Sequence, residues 1–388
     1  MKKLSVAILA VVCAITCMAF TACGSSDPGY NETFDGYVSE QSYDTVEDAA
    51  KAFLEVELSG ATSNTTFVEY KTSASLSQEE IDGLPIDDSE KAKVTAAEKG
   101  NIAYTETRKS STKASVASSS NIKSKEIYIL HEGNVFKYYV PAMVVGGEIT
   151  KSYYDYVFDS SKYVNFTASG KQTVQIKTTV NGYKINQTVD TSYTYKITED
   201  AAYIVSSASG LKAEVLIVNT QSGVKKLANI SGSSIYSYIL TDGWEPLENT
   251  YLAFSYGYID SIDEFVSQIN YDFFDQTYFV KTDSGFACRE DRFSEMCKIM
   301  FAQMFDESSF EDISSDMSMI FDSISEANIN FFVRDGKIAD CSGKIVIDLD
   351  YSYGGNSMTL YEASSFKYSY SNFGTTTIDI PSEAQAYL

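Results

Sequence analysis

Apolar positions repeat at helical spacing in two regions of this chain and alternate or cluster in runs between and after them. The first helical region runs from about Thr45 to Leu58, where Val46, Ala49, Ala50, Phe53 and Leu54 fall on one stripe. Asp44 or Thr45 caps it, Glu47 and Asp48 suit its first turn, and Ser59-Gly60 stops it. From about Thr65 to Leu240 the chain turns to Thr, Ser, Tyr, Val and Ile, which suit a pleated, half-buried surface. Asn181-Gly182 predicts a two-residue hairpin turn between Thr173–Val180 and Tyr183–Val189. His131-Glu132-Gly133-Asn134, Ala168-Ser169-Gly170, Gln221-Ser222-Gly223 and Asp242-Gly243 predict further reversals, so the stretch reads as a long antiparallel meander. His131 is thereby placed at a turn on the surface.

The helical period returns at Ser261-Ile262-Asp263-Glu264, a capping box followed by Ile262, Phe265, Val266, Ile269 and Phe273. A short strand, Thr277–Lys281, and the turn Asp283-Ser284-Gly285 come next. Two helices follow, over Asp291–Phe305 and Ser309 to about Ser325. The end is again strands: Asn328–Arg334, the turn Asp335-Gly336, Lys337–Cys341, Lys344–Tyr351, Met358–Tyr370 and Thr375–Ile380. By parity Phe331, Val333 and Ile338 share a face, whereas Ile345, Ile347 and Leu349 fall on the other. A bulge at Ser342-Gly343 would restore one apolar side. Segregated helices and antiparallel strands define an α+β class.

The first 22 residues have their own pattern: Lys2-Lys3, then an uncharged apolar run from Leu4 to Phe20, short for a membrane span and ending in small residues. Phe20-Thr21-Ala22-Cys23, followed by Gly24-Ser25-Ser26-Asp27, resembles the lipobox of bacterial lipoprotein precursors, with Phe20 where an aliphatic residue is usual. The resemblance implies cleavage before Cys23 and acylation of its thiol, so that the chain is held by membrane lipid at the outer face of a bacterial cell membrane. Two acyl chains give stable anchoring where one holds only marginally. Residues Gly24 to Tyr43 show no period and read as a flexible tether reaching at most ~70 Å when extended. The expected layout is a signal peptide over 1–22 and lipidated Cys23 with its tether over 23–43. A helix with the strand meander follows over 44–245, and a helical cover with C-terminal strands over 246–388, the last two open to being one continuous domain.

Composition narrows the partners. The chain of 388 residues has 53 acidic against 30 basic side chains, and losing residues 1–22 removes two lysines and no acid. So acidic a body repels phosphates, and no nucleic acid is expected as a partner. The charge is uneven. Lys91–Lys125 holds eight basic residues and two acids, whereas Glu245–Asp340 holds twenty acids and six basic residues. The basic island fits anionic headgroups or wall polymers, or a solvated sheet edge blunted by lysine.

Val333-Arg334-Asp335-Gly336-Lys337-Ile338, Ile345–Asp350, Phe366-Lys367-Tyr368-Ser369-Tyr370, Asn372-Phe373-Gly374 and Ile378-Asp379-Ile380-Pro381-Ser382-Glu383-Ala384 together resemble the C-terminal strands of bacterial lipoproteins of the LolA/LppX type. That resemblance covers roughly the last sixty residues. It implies a large, curved, half-barrel-like antiparallel sheet with helices packed on one face, and the carriage of lipids or lipoproteins. It assigns no single functional residue.

Candidate chemistry is sparse. His131 is the only histidine, and no GxGxxG, Walker A, GxSxG or HExxH pattern occurs. Asp348-Leu349-Asp350 starts like a calcium loop but lacks the glycine and twelfth-position glutamate. After Cys23 only Cys288, Cys297 and Cys341 remain, too few for a disulfide scaffold and without CxxC spacing. Neither catalytic nor metal-ligating residues are expected, and no cofactor. The helices over 291–325 are rich in Met and Phe. Phe293, Met296, Met300, Met304, Phe310 and Met317 either line a pocket for a hydrophobic or amphipathic ligand or fill a plain core. The reading is therefore a non-enzymatic, membrane-anchored lipoprotein that binds such a ligand, or else a surface-interaction or structural lipoprotein without a cavity.

Overall fold

The computed structural model describes residues 37–60, 63–108, 122–140, 146–180, 183–233, 237–256, 259–269, 275–296, 323–353 and 356–388. They form two compact units. The smaller comprises Glu32–Val157 with Asp275–Phe286. The larger takes in Phe158–Phe274 and Ala287–Leu388.

In the smaller unit five antiparallel strands run β1 (Tyr37–Val38), β2 (Ser63–Ser75), β3 (Ala96–Arg108), β4 (Lys123–Glu132) and β5 (Val135–Val140), in sheet order β1-β5-β4-β3-β2. The predicted first helix is α1, Val46–Phe53, capped by Thr45, whose side chain accepts from Asp48 N at 3.1 Å. Its stripe of Ala49, Ala50 and Phe53 is buried against Ile102, Tyr104, Ile127, Ile129 and Tyr138. Phe53 meets the Tyr138 ring edge-on at 5.6 Å. The helix does not run on to Leu58 as an α-helix. It loosens into a π-type turn, Leu54–Leu58, which puts Glu57 as well as Leu54 and Leu58 in the interior. A second short helix, α2 (Gln78–Asp82), is closed by a reciprocal Ser77–Glu80 capping box. Its Ile81 packs with Ala97, Leu130 and Tyr139.

His131 is not at the turn. It lies within β4, half-buried, with Nε2 3.5 Å from Glu98 and its ring edge-on to Phe136 at 4.8 Å. The reversal is made by Gly133-Asn134 alone, with Gly133 at φ 67°.

The larger unit is built on long antiparallel strands: β6 (Phe166–Val180), β7 (Tyr183–Ile197), β8 (Ala201–Ala208), β9 (Leu211–Thr220), β10 (Gly223–Gly232) and β11 (Glu245–Pro246). The hairpin β12 (Phe279–Thr282) and β13 (Gly285–Cys288) straddles the boundary of the two units. Then come β14 (Ile324–Arg334), β15 (Lys337–Tyr353) and β16 (Asn356–Ser371). Nine strands follow one another as β11-β10-β9-β8-β7-β6-β16-β15-β14 in an open sheet. The last strand of the chain is thus inserted beside the first of this unit. Val180 faces Tyr183 across the expected hairpin, whose turn residues lie outside those described. Strand β14 begins at Ile324, so it takes in the positions expected to end the preceding helix.

Two sequence expectations change here. Ala168-Ser169-Gly170 is not a reversal: it lies inside β6, and Gly170 stands across from Tyr368 of β16, whose ring occupies the space a Cβ would need. Nor is Ser342-Gly343 a bulge, because the β14–β15 register is regular there. The extra residue is Ala339: Phe331 faces Cys341 and Phe332 faces Asp340, but Val333 faces Ile338. That shift returns Ile338, Cys341, Ile345, Ile347 and Leu349 to one buried face, as the parity argument required, three residues earlier than expected. Gly343 instead makes room for the Phe366 ring and the Asn328 carbonyl, 2.7 Å from where its Cβ would stand. The predicted Asp335-Gly336 turn is present, with φ 50° and 66°.

Beyond β16 the chain doubles back. Asn165 holds Thr376 through two hydrogen bonds, and Thr167 and Thr376 share a third at 2.8 Å. Ile378, Ile380 and Ala384 then pack with Trp244, Leu216, Val218 and Leu227 on the outer face of β8–β10.

Candidate functional site

The sheet's two faces differ sharply over β14, β15, β16, β6 and β7. Following the register across these strands, every Lys, Arg and Asp falls on the outer face. Lys177 there lies 5.0 Å over the Tyr361 ring. The inner face carries Ile345, Ile347, Leu360, Phe366, Tyr368, Tyr370, Val174, Tyr193 and Tyr195, all buried. Such a face is what alternating strands produce when one side is taken from water.

One charged residue breaks the pattern. Glu362 is on the inner face, between Ile347 of β15 and Ile176 of β6. It is 1% exposed, and among the described residues neither carboxylate oxygen has a hydrogen-bond partner. Burial alone pushes this carboxyl up from 4.5 to about 7. A buried, unpaired carboxylate is among the more costly features a fold can carry.

Next to it runs a short polar line. Ser364 follows Glu362 on the same face of β16 and accepts from Gln172 Nε2 of β6 at 2.9 Å. Tyr193 of β7 donates to Gln172 Oε1 at 3.5 Å. Gln172 and Ser364 are each 1% exposed. Burial is not uniform along this face. Ile176, facing Glu362, is half-buried, and Gln187, facing Ile176 from β7, is exposed. Glu362 therefore sits one strand inside the place where the inner face opens to solvent. Neither Glu362 nor its polar neighbours were singled out in the sequence. The signal was there: in β16 alternate positions read Leu360, Glu362, Ser364, Phe366, Tyr368, Tyr370, and a glutamate on that parity is out of register with its chemistry.

The residues that the sequence did single out are placed in part. Phe293 and Met296 are both 1% exposed, and the Cys288 thiol donates to Met296 Sδ at 3.6 Å. Met300, Met304, Phe310 and Met317 lie outside the described residues, as does Cys23. Cys288 and Cys341 are buried, and Cys297 lies outside the described residues. Asp348 and Asp350 are exposed on the outer face.

The smaller unit holds a buried carboxyl, Glu57, and a half-buried ion-pair cluster around Lys123. Glu57, 1% exposed, accepts from Ser152 N at 2.9 Å and from the Tyr138 hydroxyl at 3.3 Å, and burial raises its pKa. Lys123 lies between Glu106 and Glu148, and Tyr104 donates to Glu148 at 3.0 Å. Much of the basic island is similarly engaged by acids, Lys93 with Glu90 and Lys99 with Glu126. A groove of about 620 Å³ opens between Tyr37–Glu40 and Pro85–Glu90, but its one lysine, Lys137, is already held by Glu90 and Glu132. Glu57 and Lys123 have partners within the protein, whereas Glu362 has none among the described residues.

Among the described residues no three His, Cys, Asp or Glu side chains converge as a metal site, and no helix is long and apolar enough to cross a membrane. Comparison with known proteins matches this chain to no family model, no curated protein and no solved structure.

Proposed function

We propose that the protein is a lipid-anchored extracytoplasmic lipoprotein, not an enzyme, that holds a hydrophobic or amphipathic ligand against the inner face of its large sheet. The lipobox-like Phe20–Cys23 supports the anchor and the location. The observation that carries the binding role is the inner face itself. It is an aromatic and aliphatic surface crossed at mid-strand by a short polar line, the composition of a site for a molecule with an apolar body and one polar group. In this reading the sheet curves as a half-barrel of the LolA/LppX type. The candidate residues of the Met- and Phe-rich segment, Phe293, Met296, Met300, Met304, Phe310 and Met317, would supply the ligand's apolar contacts. Thioether side chains would let those contacts adapt to different tails.

One observation favours a second reading. Leu360, Phe366 and Tyr368 are buried almost completely, as they would be in a packed core that admits no ligand. The protein would then be a surface-interaction or structural lipoprotein. Native mass spectrometry of the full chain extracted from membranes separates the two. A co-purifying lipid of defined mass is expected. Bare protein, together with no binding of an apolar dye, overturns the carrier reading.

A further inference from the structure

We infer that Glu362 is the head-group receptor of the inner face, and that the ligand it receives is an amphipath bearing a protonated amine. The inference rests on the carrier reading and names its ligand class. It follows from charge placement. Over five adjacent strands the inner face has one charged side chain, Glu362, and no Lys or Arg to balance it. Both carboxylate oxygens lack a partner among the described residues, although the amide and hydroxyl groups of Gln172, Ser364 and Tyr193 bond to one another close by.

A buried acceptor with no donor is stabilised by whatever brings one. An ammonium group brings both donors and the missing charge, and in a site shielded from water that pairing is far stronger than at the surface. An alcohol would supply a donor without the charge, and a fatty acid would add a second carboxylate and repel.

Position agrees with this role. Glu362 stands beside the half-buried Ile176, with the exposed Gln187 one strand further out. An amphipath entering from that side would place its head on Glu362 and run its tail along the face toward Phe366 and Tyr368. Those residues are buried and lie at positions four and six further along β16.

The test is displacement of the uncharged dye N-phenyl-1-naphthylamine from the full chain by dodecylamine, dodecanol and dodecanoate, each below its micellar concentration. The amine is expected to displace the dye at concentrations at least tenfold below the other two. Glu362→Gln, nearly isosteric, is expected to keep dye binding and bring amine and alcohol within about twofold of each other. Dye binding with no amine preference in the wild type, or a preference unchanged in Glu362→Gln, overturns the head-group assignment and leaves the carrier reading standing. Absence of dye binding overturns both. Should Glu362→Gln fail to fold, Ile176→Lys brings a positive charge to the facing position on β6. It is expected to abolish the amine preference while retaining the dye, and a retained preference refutes the assignment.

Discussion

Gly170 and Tyr368 face each other across β6 and β16, and the tyrosine ring fills the volume where any larger residue at 170 would put its Cβ. The same device recurs two strands along, where Gly343 yields its space to Phe366. Both contacts join the strand that opens the larger unit's sheet, or the one beside β16, to the aromatic row that lines its inner face.

Substituting either glycine by alanine should therefore destabilise the larger unit by about 2 kcal/mol or more, since the opposing ring can yield only by leaving a packed row. Urea unfolding of Gly170→Ala and Gly343→Ala measures this. Midpoints within error of wild type would mean that the rings have room to move.

The stability of the fold should fall as pH rises from about 4.5 through about 7, in part because of Glu362. Its carboxyl titrates at 4.5 in the unfolded chain and about 7 in the folded one. Below about pH 4.5 it is neutral in both states and costs nothing. As the pH climbs, the unfolded form ionises first, and the folded state loses roughly 3 kcal/mol relative to it by the time both are charged. Glu362→Gln should remove that part of the decline. Denaturant titrations of both proteins at pH 5 and pH 8 test the sign, and an identical pH response in the two would refute it.

Glu57 should behave differently, because it serves two donors. Glu57→Ala leaves Ser152 N–H and the Tyr138 hydroxyl without their acceptor beneath a buried sheet. The expected cost is about 2 kcal/mol in thermal unfolding. Glu57→Gln, which retains an acceptor oxygen, should lose less. A loss for glutamine as large as that for alanine would refute the acceptor role.

The proposed anchor makes a prediction independent of the sheet. Cys23→Ser should move the protein from the membrane pellet to the soluble fraction and abolish incorporation of labelled palmitate. Retention in the pellet would refute acylation at that residue.

The sequence made much of this legible where local chemistry decides structure. Thr45 caps α1 through its own hydroxyl, and Asp335-Gly336 takes the turn its residue types favour. Parity along β15 demanded a bulge between Ile338 and Ile345, and the extra residue is Ala339, not Ser342-Gly343. What local chemistry could not give was the use of glycine. Gly170 and Gly343 signal a break when read along the chain, yet both are dictated by an aromatic ring on a partner strand. His131 was misplaced for a related reason: Gly133 alone supplies the positive φ the turn needs, so the strand extends through the histidine. Glu362 is a third case. Its parity could be read in β16 alone, but its isolation as a charge is a property of five strands read in register.

The insertion of β16 beside β6 sets a timetable for folding. Strands β6 to β11 can pair with one another as they are made, because each is joined to the next by a short connection. The inner edge of β6, however, stays unpaired until residues up to Ser371 exist, and the Thr167–Thr376 bond closes 209 positions of chain. The outer core around Trp244 waits longer still, for Ala384. A chain threaded across a membrane from its N-terminus would thus hold its largest sheet unfinished until nearly the last residue had passed through, with β6 exposed meanwhile as a template for any other strand.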